Sequence, residues 1–208
     1  MPLPSLNPKL HEFDPALFGT LEQLRDFGAK GDRNGLLLAC SDHGTAPDQI
    51  SFASPDHFSI LQNLGVSVPC SDETGENSLS ANIEYSLSAQ QTDHLIVCGH
   101  LDCTLMRNWL KQSPEAWDID SFTDFNRKAR ATVEREYQDS ERDTQFDLMV
   151  CEHLLFQLEN LLTHECVSSR VNNQKMKLHV WVADHSARVS CFDPTDGQFH
   201  PLGQQREA

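Results

Sequence analysis

Two short stretches hold the residues most capable of chemistry: Cys40-Ser-Asp42-His43-Gly44 and Gly99-His100-Leu-Asp102-Cys103. Each follows a continuous apolar run bounded by turn residues, Gly35-Leu-Leu-Leu-Ala-Cys40 and His94-Leu-Ile-Val-Cys-Gly99. Runs of that kind read as fully buried strands of a parallel sheet. Ligands of open α/β sheets bind beyond the carboxyl ends of the strands. If the two strands are neighbours, Cys40 therefore meets His100 and Cys103. The spacing of three between His100 and Cys103 predicts both on one face of a helical first turn. Two thiolates and an imidazole form a borderline-soft donor set suited to tetrahedral zinc. A fourth position then decides the outcome, since a water there permits catalysis and a fourth protein ligand makes the site structural. A single cysteine at a strand end reads first as a small buried hydrophobe. Both groups together favour the metal.

Several other elements must position these strands. Phe18, Leu21, Leu24 and Phe27 recur at helical spacing, as do Ile83 and Leu87 within Ser80–Ala89. A helix is predicted from Asp102 until Pro114 stops it, with Asp102 capping its exposed N–H groups. Ile119, Phe122, Phe125, Ala129, Val133 and Tyr137 predict another, as do Leu148, Cys151, Leu155, Leu158 and Leu162. Phe58–Leu61, Leu178–Ala183 and Arg188–Phe192 read as strands, with a turn at Asp196-Gly197. Strands alternating with helices imply an α/β domain, a mostly parallel central sheet flanked by helices.

Composition bounds the partners. The 208 residues carry 16 Lys+Arg against 31 Asp+Glu, a net charge of −15. That balance argues against nucleic acid, whose phosphates require clustered cations, and against an anionic membrane surface. No apolar run reaches the ~20 residues of a membrane helix, and no signal peptide is visible. A cytoplasmic location is expected. Seven cysteines, an odd number at irregular spacing, predict reduced thiols or metal ligands rather than a disulfide framework. Cys98, Cys151, Cys166 and Cys191 read as packing residues and Cys70 as an exposed thiol.

Cys40-Ser-Asp42 followed by Gly99-His100-Leu-Asp-Cys103 resembles the β-class carbonic anhydrases, whose signature is Cys-x-Asp-x-Arg and, some sixty positions on, His-x-x-Cys. Phe58-Ser-Ile-Leu-Gln-Asn-Leu-Gly65 resembles the family's Phe-x-x-Arg-Asn-Ala-Gly segment. Ser80-Ala-Asn-Ile-Glu-Tyr85 resembles its Ser-Leu-Glu-Tyr-Ala helix, and residues 178–199 its closing strands. The resemblance covers about residues 20–200. It implies Zn2+ held by Cys40, His100 and Cys103, and reversible hydration of carbon dioxide to bicarbonate by zinc-bound hydroxide. It implies a catalytic Asp42, a homodimer or higher homo-oligomer, and an N-terminal helical arm. On that reading residues 1–30 are the arm, 31–200 the zinc domain and 201–208 a tail.

The departures fall on the catalytic half of the pattern. Gly44 stands where the family's Asp–Arg pair has its Arg, Gln62 replaces a second Arg, and Thr104-Leu105 replaces Gly-Ala. Without its Arg, Asp42 is free to act as a fourth zinc ligand, which would close the site and leave a structural or regulatory homologue. Hydrolysis of carbonyl sulfide or carbon disulfide is a further alternative. Arg107, one helical turn after Cys103, is the best substitute cation; Arg33 and His43 are others, His43 also as a proton shuttle.

Overall fold

The computed structural model describes residues 3–20, 23, 35–42, 58–71, 78–89, 92–111 and 120–202, with backbone alone at 109–111 and 120–126. Six strands form its sheet: β1 (Gly35–Cys40), β2 (Phe58–Asn63), β3 (His94–His100), β4 (Lys177–Ala183), β5 (Val189–Asp193) and β6 (Gln198–Pro201). Their order is β2-β1-β3-β4-β5-β6. The first four run parallel and the last two antiparallel. The helices are α1 (Ser78–Ala89), α2 (Thr104–Lys111), α3 (Asp120–Glu136), α4 (Arg142–Leu162) and α5 (Glu165–Asn172).

Strands β1 and β3 read as continuous apolar runs because both of their faces are covered. Leu36, Leu38, Leu95, Val97 and Val180 share one cluster with Leu154, Leu155 and Leu158 of α4, Ile83 and Leu87 of α1, and Val133 of α3. Leu37, Ala39, Ile96, Cys98, Trp181 and Cys191 form a second cluster. Each fully buried aliphatic side chain contributes roughly 1.5–3 kcal/mol. Gly99 lets α4 approach: a Cβ there would lie 2.8 Å from Leu154 Cδ1, so any larger residue would require the Leu154 side chain to move.

One expectation changes. The predicted strand ends one residue further on, at His100, and α2 begins at Thr104. His100 and Cys103 are therefore joined by a turn, with Cys103 N–H 3.4 Å from the His100 carbonyl, rather than stacked on a helical turn. The N-terminal segment, described over residues 3–20, holds only a 3-10 turn at Pro15–Leu17. Pro4, Pro8 and Pro15 interrupt it, since proline supplies no N–H. It packs on its own chain: Leu6, His11 and Phe18 are buried, Phe18 bridges to Leu178 of β4, and the Gln198 side chain pairs with both Leu6 N–H and C=O. Leu21, Leu24 and Phe27 lie outside the described residues. Finally, α5 and β6 were not legible in the pattern. The first buries only Val167 and Val171, and the second is a four-residue edge strand ending in Pro201, a residue that edges tolerate.

Candidate metal centre

In this strand order β1 and β3 are neighbours from which the chain leaves in opposite directions, towards β2 and towards β4. That is the switch point of an open α/β sheet, where a crevice opens at the carboxyl ends. Cys40 ends β1 and His100 ends β3. The turn at Leu101-Asp102 then folds Cys103 back beside them. One ligand atom from each of Cys40, His100 and Cys103 lies within 4.8 Å of the other two, and all three residues are buried.

The electrostatics of this trio are unusual for a closed core. Among the described residues neither ring nitrogen of His100 has a hydrogen-bond partner, and both are shielded from solvent. Leaving a buried polar group unpaired is costly, and such groups in native structures call for a ligand. The Cys103 thiol and His100 beside it draw the Cys40 thiol down, against the opposing effect of burial. Cys103 itself is pushed up, by donating to Cys40 and by burial. A cation between the sulfurs and the imidazole would satisfy all three at once, and the donor set is that of zinc. The residues present fit the metal.

Asp42 reaches from the end of β1 to the start of the helix that follows the trio. Its Oδ2 accepts the Thr104 N–H at 2.5 Å, the first amide of α2, and its own N–H reaches Cys40 Sγ at 3.4 Å. It therefore performs the capping expected of Asp102, whose carboxylate instead lies 3.3 Å from His185 Nδ1. Arg107 is exposed, and its guanidinium lies 4.2 Å from the Phe146 ring centroid, a cation–π contact. Gly44, His43 and Arg33 lie outside the described residues.

A cleft reaches the trio, lined by Gly65, Val66, Gly99, Met106, Val150 and Leu154 together with Cys40, His100 and Cys103. Its free interior is about 10 Å³ as seen by the centre of a water-sized sphere, on the order of the room for one water. Only a very small ligand fits. Sequence reasoning missed this lining because apolar residues at helical spacing carry no mark separating core from cleft. All seven cysteines are free thiols. Cys70 is half-buried and donates to Asn160 Oδ1, so it is not the exposed thiol expected.

Comparison with known proteins gives the same direction. A family profile described as carbonic anhydrase matches residues 35–188. A carbonic anhydrase of Synechococcus elongatus is 29% identical over 177 residues, covering 83% of this chain and 65% of the relative's length. One from Pseudomonas aeruginosa is 28% identical over 179 residues, covering 83% of this chain and 79% of its own. Among solved structures, the β-carbonic anhydrase CcaA superposes with a TM-score of 0.72 at 25% identity, covering 86% of this chain and 89% of that one. A tetrameric β-carbonic anhydrase of Sordaria macrospora shares the fold, with a TM-score of 0.66 at 15% identity over 86% of this chain and 85% of its own.

Proposed function

This chain belongs to the β-class carbonic anhydrase family, and from that premise we propose that it binds Zn2+ through Cys40, His100 and Cys103 and interconverts carbon dioxide and bicarbonate. The observation that carries the proposal is the orphaned His100 imidazole facing two buried thiols at the β1/β3 switch point. Zinc, when bound, supplies the Lewis acidity that makes water a nucleophile near neutral pH.

The chain's own residues then do the rest. Cys40 and Cys103 supply negative charge to the metal. Met106, Val150, Leu154 and Val66 give an apolar wall suited to a small neutral substrate. Asp42, held through Oδ2 by Thr104 N–H, lies beside the trio as the acceptor for a proton at that carboxylate. Its engagement with α2 supports an open site over one in which Asp42 completes the coordination. The −15 net charge does not oppose capture of a neutral molecule.

The test is stopped-flow hydration of carbon dioxide with zinc content measured on the same sample, across pH 6 to about 9, a range bracketing the pKa near 7 of a zinc-bound water. Activity rising with pH at full zinc loading is expected; full loading with no rate above buffer would sink the proposal. Gly44→Arg separates a missing cation from a wider defect. Installing the family's Arg should raise the hydration rate, and no gain would exclude the missing charge as the limitation. Assembly as a homodimer or higher homo-oligomer is part of the same proposal, supported by the tetrameric Sordaria relative. Light scattering at the monomer mass would contradict it. A cytoplasmic setting agrees with seven free thiols, and fractionation of cells producing the native chain would test it.

A further inference from the structure

The segment Gly65–Ser71 follows β2 and joins no strand ladder among the described residues, and most of it is buried. Its backbone is held instead by side chains from α4 and the turn after it. His153 Nε2 donates to the Gly65 carbonyl at 2.6 Å. Gln157 Oε1 accepts Val68 N–H at 2.7 Å, and Asn160 Nδ2 donates to the Val68 carbonyl at 2.7 Å. His164 Nε2 donates to the Pro69 carbonyl at 2.8 Å, and Thr163 Oγ1 accepts Ser71 N–H at 2.9 Å. Residues 153, 157 and 160 step by four and three on one face of α4, and His164 follows in the turn after it. They supply, amide by amide, the partners that a neighbouring strand would give.

The end of this ladder nearest the metal centre is the unusual one. Gly65 and Val66 both have left-handed backbone, φ 67° and 56°. Glycine adopts that conformation freely, but for a β-branched valine it is a true outlier. Such residues persist only where the surroundings over-determine them. Val66 is 1% exposed, and with Gly65 it lines the cleft over Cys40, His100 and Cys103. The next residues along α4, Val150 and Leu154, line the same cleft. One helix thus contributes one wall directly and holds the other through His153.

We infer that His153 is a positioning residue, whose Nε2–H fixes the Gly65 carbonyl and so keeps Val66 as the wall that sets the width of the cleft. A carbonyl can only accept, so the proton resides on Nε2, and Nδ1 faces the Gln157 amide at 3.4 Å, which donates to it and fixes the tautomer. Full burial holds the imidazole neutral, its pKa drawn down to about 4. The inference deepens the proposed function but rests on it only for turnover. The geometry of the cleft can be read without any activity.

The experiment compares the full chain with His153→Leu, His153→Gln and Val66→Gly. Each is treated with iodoacetamide and, separately, with the bulkier N-ethylmaleimide, and labelling at Cys40 and Cys103 is read by peptide mass spectrometry. His153→Leu should raise the bulky-to-small labelling ratio severalfold, while His153→Gln, which keeps an N–H at that reach, should restore the native ratio. Val66→Gly suits the left-handed backbone and so remains folded even if His153→Leu does not. Removing the wall should widen the cleft in the same sense. In carbon dioxide hydration at matched zinc content, His153→Leu should lose kcat/KM on the order of tenfold through misplacement of the wall, with recovery in His153→Gln. A native labelling ratio in His153→Leu or Val66→Gly, or a His153→Gln chain that behaves like the leucine variant, would overturn the inference. A native chain without hydration activity would refute the proposed function alone, leaving the labelling result to decide this one.

Discussion

Two of the buried histidines in this domain, His11 and His100, sit in opposite kinds of cluster. His11 is 8% exposed and His100 4% exposed. His11 Nε2 meets Glu152 at 2.8 Å and Nδ1 meets Glu159 at 2.7 Å. Glu152, itself fully buried, also accepts the Tyr137 hydroxyl at 2.6 Å, and that hydroxyl accepts Asn7 N–H. Every polar atom of the His11 ring is thus used, and the cluster fastens the N-terminal segment to α3 and α4. His100 has neither ring nitrogen paired among the described residues. Burial with full pairing marks a structural network, whereas an unpaired imidazole facing two buried thiols marks a place for a metal. The same residue type at similar burial carries opposite meanings, and the hydrogen-bond inventory tells them apart.

The largest effect should come from the vacant side of this contrast. Cys103→Ala should reduce zinc, measured by plasma emission, from about one per chain to nearly none, and hydration to the uncatalysed rate. Cys98→Ala, two residues from His100 but in the apolar cluster, should keep its zinc. Zinc retained in Cys103→Ala would break the assignment. On the paired side, His11→Phe leaves the Glu152 carboxylate buried without its cation, and losing one partner of a buried ion pair costs about 3–5 kcal/mol. Denaturant melts should show that loss with zinc content unchanged. A variant that loses zinc instead would erase the distinction between the clusters.

A somewhat smaller effect follows from pH. Burial draws the His11 pKa down, but hydrogen bonds and charge from Glu152 and Glu159 outweigh it and raise the value from 6.5 to about 9. The folded-state pKa is the higher one, so this contribution is fully present below about pH 6.5 and fades as pH rises through 9. The shift corresponds to roughly 3 kcal/mol at most. Melts at pH 6 and pH 9.5 should show native stability falling across the interval, with His11→Phe lacking that component of the slope. The smallest effect concerns the seat of the N-terminal segment. Gly197 has φ 70°, and a Cβ there would lie 3.0 Å from Pro8 Cβ. Gly197→Ala should cost about 1 kcal/mol through the strained turn and leave zinc content untouched.

The sequence carried the sheet and the trio because both depend on local, repetitive signals. Uninterrupted apolar runs gave β1 and β3, and cysteine and histidine at strand ends are rare enough to stand out. What escaped was set by tertiary contact. Asp102 was expected to cap α2, but the chain brings Asp42 there from sixty residues away, and no spacing encodes that. His11 looked unremarkable because its partners, Glu152 and Glu159, lie about 140 residues on. His153, Gln157 and Asn160 sit among the leucines of α4 as polar interruptions of an apolar pattern, and their purpose appears only once Gly65–Ser71 lies against them. Pro4, Pro8 and Pro15 mark an irregular segment ahead of the helical spacing that begins at Phe18.

Zinc K-edge X-ray absorption on the full chain, loaded with one equivalent of zinc, addresses the central claim most directly. The account predicts a four-coordinate shell with two sulfurs at about 2.3 Å and two nitrogen or oxygen donors at about 2.0–2.1 Å, and the loss of one sulfur in Cys103→Ala. A shell without sulfur, or one unchanged by that substitution, would contradict it.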